Sequence, residues 1–356
     1  MPQQSHQQSQ TQTSTATPFR RAAAFGLAAA CALALTVRTS PAQAGGRAPA
    51  ARTTPDWSAV DQALGRKGAA QPGGVMRYSF PRSDLQVTAT GVQLKPALAL
   101  GSWVAFKDAA GGHAMMMGDL VLTEDEVAPV MRSLQQAGVE QTALHNHVLG
   151  ESPRVMYMHV AGHDDPVKLA QAVRTALGQS KTPLDQQPSA AAPSAGDKGD
   201  AAGAGSAGGQ AAGVDAPGGI DLDTAAIARA LGTRGKVNGG VYQVSVPRRE
   251  TIREGSREVP PSMGVATAIN FQPTGSGKAA ITGDFVMTAA EVNPVIRALE
   301  ESGITVTALH SHMLTETPRL FFMHFWANDD AATLAQGLRA ALDRTNSAKP
   351  TKTAAR

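Results

Sequence analysis

The chain has 356 residues, enough for two domains of ordinary size, each with its own core. Of its 32 basic side chains, Arg20, Arg21 and Arg38 lie in an N-terminal stretch without acidic residues, and the remainder balance the 29 acidic ones. That balance argues against a nucleic-acid partner, which selects a clustered basic face, and a single cysteine excludes a disulfide framework.

Residues 1–44 read as an export signal: a polar lead, two arginines, the apolar run AAAFGLAAACALALTV, then SPAQAGG, with cleavage expected after Ala44. The run is too short and too rich in alanine for a span of ~20 residues, so the mature chain is expected to lack a transmembrane segment. Arg20 and Arg21 raise a twin-arginine route beside the general secretory one. Cys31 lies inside the apolar run, which continues past it; plain cleavage fits this better than lipid attachment at Cys31. The expected location is periplasmic or secreted, with lipid anchoring through Cys31 as the alternative.

Beyond the signal the chain divides into residues 45–178 and 220–344, separated by an Ala/Gly/Ser/Pro stretch at 179–219 whose composition reads as a disordered linker. Residues 345–356 read as a disordered tail. At an offset of 165 positions the halves repeat one another: Pro96 pairs with Pro261, Phe106 with Phe271, Gly118 and Asp119 with Gly283 and Asp284, and Pro129 with Pro294.

Each half predicts the same elements in order. A helix at 56–64 (224–231 in the second copy) precedes strands near 75–80 (241–246), 103–106 and 114–122. Thr123 with Glu126, and Thr288 with Glu291, form the capping-box signature of a helix that stops at Gly138 or Gly303. Pro129 and Pro294 fall about two turns in, where a kink or a later start is expected. Strands at 141–147 and 154–160 follow, then a helix opened by Asp164 or Asp165, with Val167, Leu169, Ala170, Val173 and Leu177 at helical spacing. The order ββαββα predicts an α+β fold, a mostly antiparallel sheet with helices on one face in each half, which is a circular permutation of the ferredoxin-like unit.

The segments GDLVLTEDEVAPVMRSLQQAGVEQTALHNHVLGESPRVMYMH and GDFVMTAAEVNPVIRALEESGITVTALHSHMLTETPRLFFMH resemble the LppY/LpqO family, a bacterial exported or lipoprotein family with a domain of unknown function. The resemblance covers nearly all of both halves and implies an envelope or secreted location. It implies no reaction.

The TALHxH element places His145 and His147, and in the second copy His310 and His312, two residues apart. On a strand such residues share a face about 6.6 Å apart. If the next strand returns with His159 opposite His145, three imidazoles converge; His324 repeats the arrangement. Glu151 and Glu316 complete an HxHxxxE order similar to the first metal motif of cupins, although the glycine that follows the glutamate there is missing. Three imidazoles with an open position suit a divalent transition metal, Zn, Mn or Fe. Of the eight histidines after the signal, six belong to this repeated set. Against the metal stand two readings: strand-end histidines that cap carbonyls, and a polar pocket without metal.

Arg154 and Arg319 could clamp an anionic ligand or pair with nearby carboxylates, and pairing is favoured. Asp119 and Asp284 are candidates to orient an imidazole or act as a base, but a simpler role as turn residues is favoured. Met115, Met116 and Met117 read as core, because adjacent strand residues alternate faces. Two functions follow: a protein with a duplicated His-rich metal site, for sequestration or metal-assisted hydrolysis, or a non-catalytic envelope module that binds a small molecule, glycan or protein partner.

Overall fold

The structure is a computed structural model and describes residues 56–185 and 219–348. The expected export signal, Cys31, most of the expected linker and most of the expected tail lie outside these residues. No helix among the described residues is long and apolar enough to cross a membrane.

The first half contains α1 (Ser58–Leu64), β1 (Ala69–Gln71), β2 (Val75–Pro81), β3 (Thr88–Ala89), β4 (Val92–Gln93), α2 (Pro96–Ala99), β5 (Gly101–Asp108) and β6 (Ala114–Thr123), then α3 (Glu124–Gln136), β7 (Glu140–His145), β8 (Glu151–Ser152), β9 (Val155–Asp164) and α4 (Pro166–Leu177). The second half has α5 (Thr224–Leu231), β10 (Lys236–Asn238), β11 (Val241–Pro247), β12 (Ile252–Glu254), β13 (Arg257–Val259), β14 (Ala266–Gly275) and β15 (Lys278–Met287). It ends with α6 (Ala289–Glu301), β16 (Thr305–His310), β17 (Glu316–Thr317), β18 (Phe321–Asp330) and α7 (Ala331–Leu342). Each half builds a six-stranded sheet with the same order, β1-β2-β5-β6-β9-β7 and β10-β11-β14-β15-β18-β16, in which every neighbouring pair is antiparallel. The short strands form two small sheets, β4-β3-β8 and β13-β12-β17.

Strand alternation sends the side chains of each sheet to two different cores. On β6 and β9, Met116, Leu120, Leu122, Met158 and Val160 pack against α1, α3 and α4. The opposite face carries Met115 and Met117, which pack against Ile252, Met263, Val286 and Phe322 of the second half, and Val121, Val155 and Tyr157, which pack against Val241, Ala280 and Trp326. The sheets therefore face each other across an apolar interface, with helices on the outside. Helices cover one face of each sheet, as expected; the other face is covered by the other half.

Both capping boxes form, with the Thr123 amide donating to Glu126 (2.9 Å) and the Thr288 amide to Glu291 (2.7 Å). The same glutamates bind buried arginines: Arg82 donates to both Glu126 oxygens and to the Val121 carbonyl, and Arg248 repeats this with Glu291 and Val286. Each capping residue thereby ties a helix start to β2 or β11. The later start that Pro129 and Pro294 allowed does not occur: the helices begin at Glu124 and Ala289. Each helix runs unbroken past its proline, which forgoes one backbone bond. Residues 179–185, expected in the linker, pack on the first half: Lys181 N–H donates to Glu126, and the Pro183 and Leu184 carbonyls accept from Arg66. Likewise the segment past Thr345 pairs back, Arg248 bridging to Ser347 and the Ala348 amide donating to Pro247.

Candidate metal centre

The histidines lie on the inner faces of the two sheets. His159 sits on β9 opposite Asp119 of β6, and His324 sits on β18 opposite Asp284 of β15. On the other side of β9, His159 pairs with Ala143, while His145 stands opposite Tyr157. The expected His145–His159 pairing is thus displaced by two residues. A shift of two conserves the face, so the rings still converge, their centroids 5.0 Å apart. His145 and His310 are the last residues of their strands, and His147 and His312 follow in the turns.

The six rings form one cluster that both halves build. His145 stacks on His310 at 3.6 Å, His147 packs on His324 at 3.8 Å and His159 on His312 at 3.8 Å, so each of these contacts crosses between the halves. The backbone contacts are reciprocal: Thr142 Oγ1 donates to the His312 carbonyl (2.7 Å) and Thr307 Oγ1 to the His147 carbonyl (2.6 Å). Two separate sites, one per half, were expected. The structure brings their residues into one.

Four imidazoles are fixed in a single tautomer. Nδ1 of His145, His310, His312 and His324 lies 3.0, 3.3, 3.1 and 2.6 Å from the carbonyls of Asn146, Ser311, Gly264 and Gly283. A carbonyl only accepts, so Nδ1 carries the proton and Nε2 presents a lone pair, which is the orientation that second-shell bonds impose on metal-binding histidines. Burial, reinforced by neighbouring imidazoles, pushes His145 and His310 down to about 3 and holds His159 and His324 well below the ordinary imidazole value. These four rings are neutral at physiological pH.

All six Nε2 atoms are buried without a hydrogen-bond partner, as are Asp119 Oδ1 and Asp284 Oδ1. His312 Nε2 lies 2.9 Å from Asp284 Oδ2, and His147 Nε2 lies 3.5 Å from Asp119 Oδ2. With Nδ1 committed to the Gly264 carbonyl, His312 Nε2 can meet the Asp284 carboxylate only through a proton of its own or through a cation between them. Two ligands at about 2.05 Å from one ion stand about 2.9 Å apart at a right angle and about 3.3 Å apart at the tetrahedral angle. The observed separations match those spans. Three groups have ligand atoms within 4.8 Å of one another: His145, His147 and His324; His145, His159 and His310; and Asp284, His310 and His312.

Asp119 and Asp284 are not turn residues. Both sit within strands, Asp119 buried beside His147 and Asp284 beside His312. The glycines before these aspartates have a steric cause: a Cβ on Gly283 would stand 2.0 Å from the Ala268 carbonyl oxygen, and one on Gly118 2.7 Å from that of Trp103.

Four other expected residues lie apart from these ligand groups. Glu151 is in the small sheet opposite Ala89. Glu316 is buried, accepting from Arg319 (3.0 Å) and from the Leu320 amide (2.8 Å). Arg154 is exposed beside Glu124 at 3.6 Å. Both arginines are thus paired with carboxylates. A residue not singled out from the sequence is Tyr157, whose ring stacks on His147 at 3.3 Å while Phe322 stacks on His312 at 3.5 Å. The Tyr157 hydroxyl is buried without a partner, and burial with the charges of Asp119 and Glu151 pushes it well above its usual range.

Fold and site define a tandem-repeat protein whose two α+β halves share one buried histidine–aspartate cluster. The chain belongs to the family described as Domain of Unknown Function (DUF1259), which matches it twice, at residues 58–179 and 225–344. No curated protein matches. Among solved structures it is similar to a trimeric bacterial microcompartment shell protein, PduB (12% identity, 78% of this chain and 89% of that chain, TM-score 0.19). It is also similar to EtuB from Clostridium kluyveri (9% identity, 78% and 90% coverage, TM-score 0.17). At such TM-scores neither likeness bears on fold or function.

Proposed function

We propose that this chain is an exported metal-binding protein in which the two halves jointly enclose a divalent transition-metal centre. One observation carries the reading: eight buried nitrogen and oxygen atoms, six imidazole Nε2 and two carboxylate Oδ1, lie in or beside one histidine cluster without a hydrogen-bond partner, and three groups among these residues have ligand atoms within 4.8 Å of one another. An unpaired buried polar atom costs ~1–3 kcal/mol, and a shared cation removes that cost from several at once. Imidazole as the majority donor suits Zn, Fe, Cu or Ni; Mn, which prefers oxygen, is the least suited of the ions expected from the sequence. The enclosure of the cluster favours holding an ion over hydrolysing a large substrate.

Metal analysis of tag-free protein tests the reading. At least one equivalent of a transition metal is expected, with loss in a His145→Ala/His310→Ala variant; below a tenth of an equivalent in wild type, without a thermal shift on adding zinc, the reading fails. The shared strand order supports taking each half as a permuted ferredoxin-like unit, and the TALHxH and MH elements support placement with the LppY/LpqO proteins. Export rests on residues 1–44. N-terminal sequencing of the protein from cell fractions is expected to find it outside the cytoplasm beginning at Gly45; an uncleaved cytoplasmic chain overturns this.

A further inference from the structure

We infer that the shared cluster holds a pair of adjacent ions rather than one, closed by a small bridging anion. The inference rests on the metal-binding reading above. Its first ground is donor count: one ion accepts four to six ligands of this type, whereas eight unpartnered buried donors face the cluster. The second is that two of the three ligand groups share no residue: His145, His147 and His324 form one set, and Asp284, His310 and His312 another, while the third, His145, His159 and His310, links them. His159, 3.8 Å from His312 between ring centroids, extends the second set as His324 extends the first.

Each set contains residues that repeat across the halves, so the sets are near-copies about the stacked His145–His310 pair, whose centroids are 3.6 Å apart. Rings in contact would hold their ions as neighbours, the arrangement that two-metal sites use. Charge then identifies the third component. Two divalent ions against Asp119 and Asp284, with neutral imidazoles, leave a net positive centre in a buried space, so the exogenous ligand is anionic. Enclosure limits it to a few atoms, hydroxide being the simplest.

Copper(II) titration of the chelator-stripped full chain tests this, with spin counting by electron paramagnetic resonance. A surface pair, His113 and His163, with rings stacked at 5.3 Å, is a competing site, so the titration uses a His113→Ala/His163→Ala background. Two equivalents are expected, with a spin count far below two per chain because bridged ions couple. A His312→Ala/Asp284→Asn variant is expected to retain one equivalent with one full spin. One equivalent with one spin in the unaltered cluster overturns the pair and leaves the metal-binding reading standing. Two equivalents with two full spins overturn the bridge, and no binding overturns both readings.

Discussion

Acidification of the metal-stripped protein should unfold it well above the pH at which its carboxylates titrate. His145 and His310 are held at about 3 in the fold, against about 6.5 for a free imidazole. Between those values the unfolded chain binds more protons than the folded one, so stability falls as pH falls through this window. At pH 4.5, two decades below the free value, each of the two has withdrawn about 2.7 kcal/mol, and the pair about 5 kcal/mol. That is comparable to the whole stability of many domains. With a urea slope of about 3 kcal/mol per molar, the midpoint should drop by about 2 M between pH 7 and 4.5. The assay is urea unfolding followed by circular dichroism across this range in the presence of a chelator. A His145→Phe/His310→Phe variant, which keeps the ring stack and removes both titrations, should make the profile shallower, with His159 and His324 supplying the slope that remains. A wild-type midpoint that is level from pH 7 to 5 would refute the argument, since the onset then belongs to carboxylates alone.

Asp284→Asn should weaken metal binding ~10–100-fold while leaving the fold intact, read by competition with a chromophoric chelator. Arg82→Met strands Glu126 in the interior and should cost about 3–5 kcal/mol in chemical denaturation, with Arg248→Met similar because Glu291 is held the same way. Tyr157→Phe removes an unpartnered hydroxyl and converts that position to the Phe322 of the second half, so the stripped protein should be as stable as wild type or more so by about 1–3 kcal/mol. Gly283→Ala drives a methyl into the Ala268 carbonyl and should lower the melting temperature more than Gly118→Ala, whose nearest oxygen is farther away.

Much of each half was legible along the chain because its signals are local. Thr123 with Glu126 marks a helix start by its own chemistry, and the short apolar run VMYMHV at 155–160 marks a strand. What escaped is non-local. His145 and His147 were visible as a pair, but nothing near them in sequence shows that His324 completes their set, since that contact depends on how two sheets face one another. One signal for it was present. MMMGDLVL is apolar on both strand faces, and a sheet with helices on one face only would leave Met115, Met117 and Val121 in water. Such a run calls for a second cover, which the other half supplies. Asp119 was misjudged because a Gly-Asp step is common in turns; here the glycine answers to a neighbouring strand's carbonyl, and the step lies within β6.

The reciprocal contacts of Thr142 with His312 and Thr307 with His147 have the pattern of an isologous interface, the kind that two identical subunits form about a two-fold axis. Written into one polypeptide, that symmetry changes what a mutation does. In a homodimer every substitution falls on both sides of the axis at once; here each side can be altered alone, and Tyr157, where the second copy has Phe322, is such an alteration. Yet loss of a histidine from either copy removes a donor from a cluster that the other copy also builds, so neither half can decay while the other preserves the site.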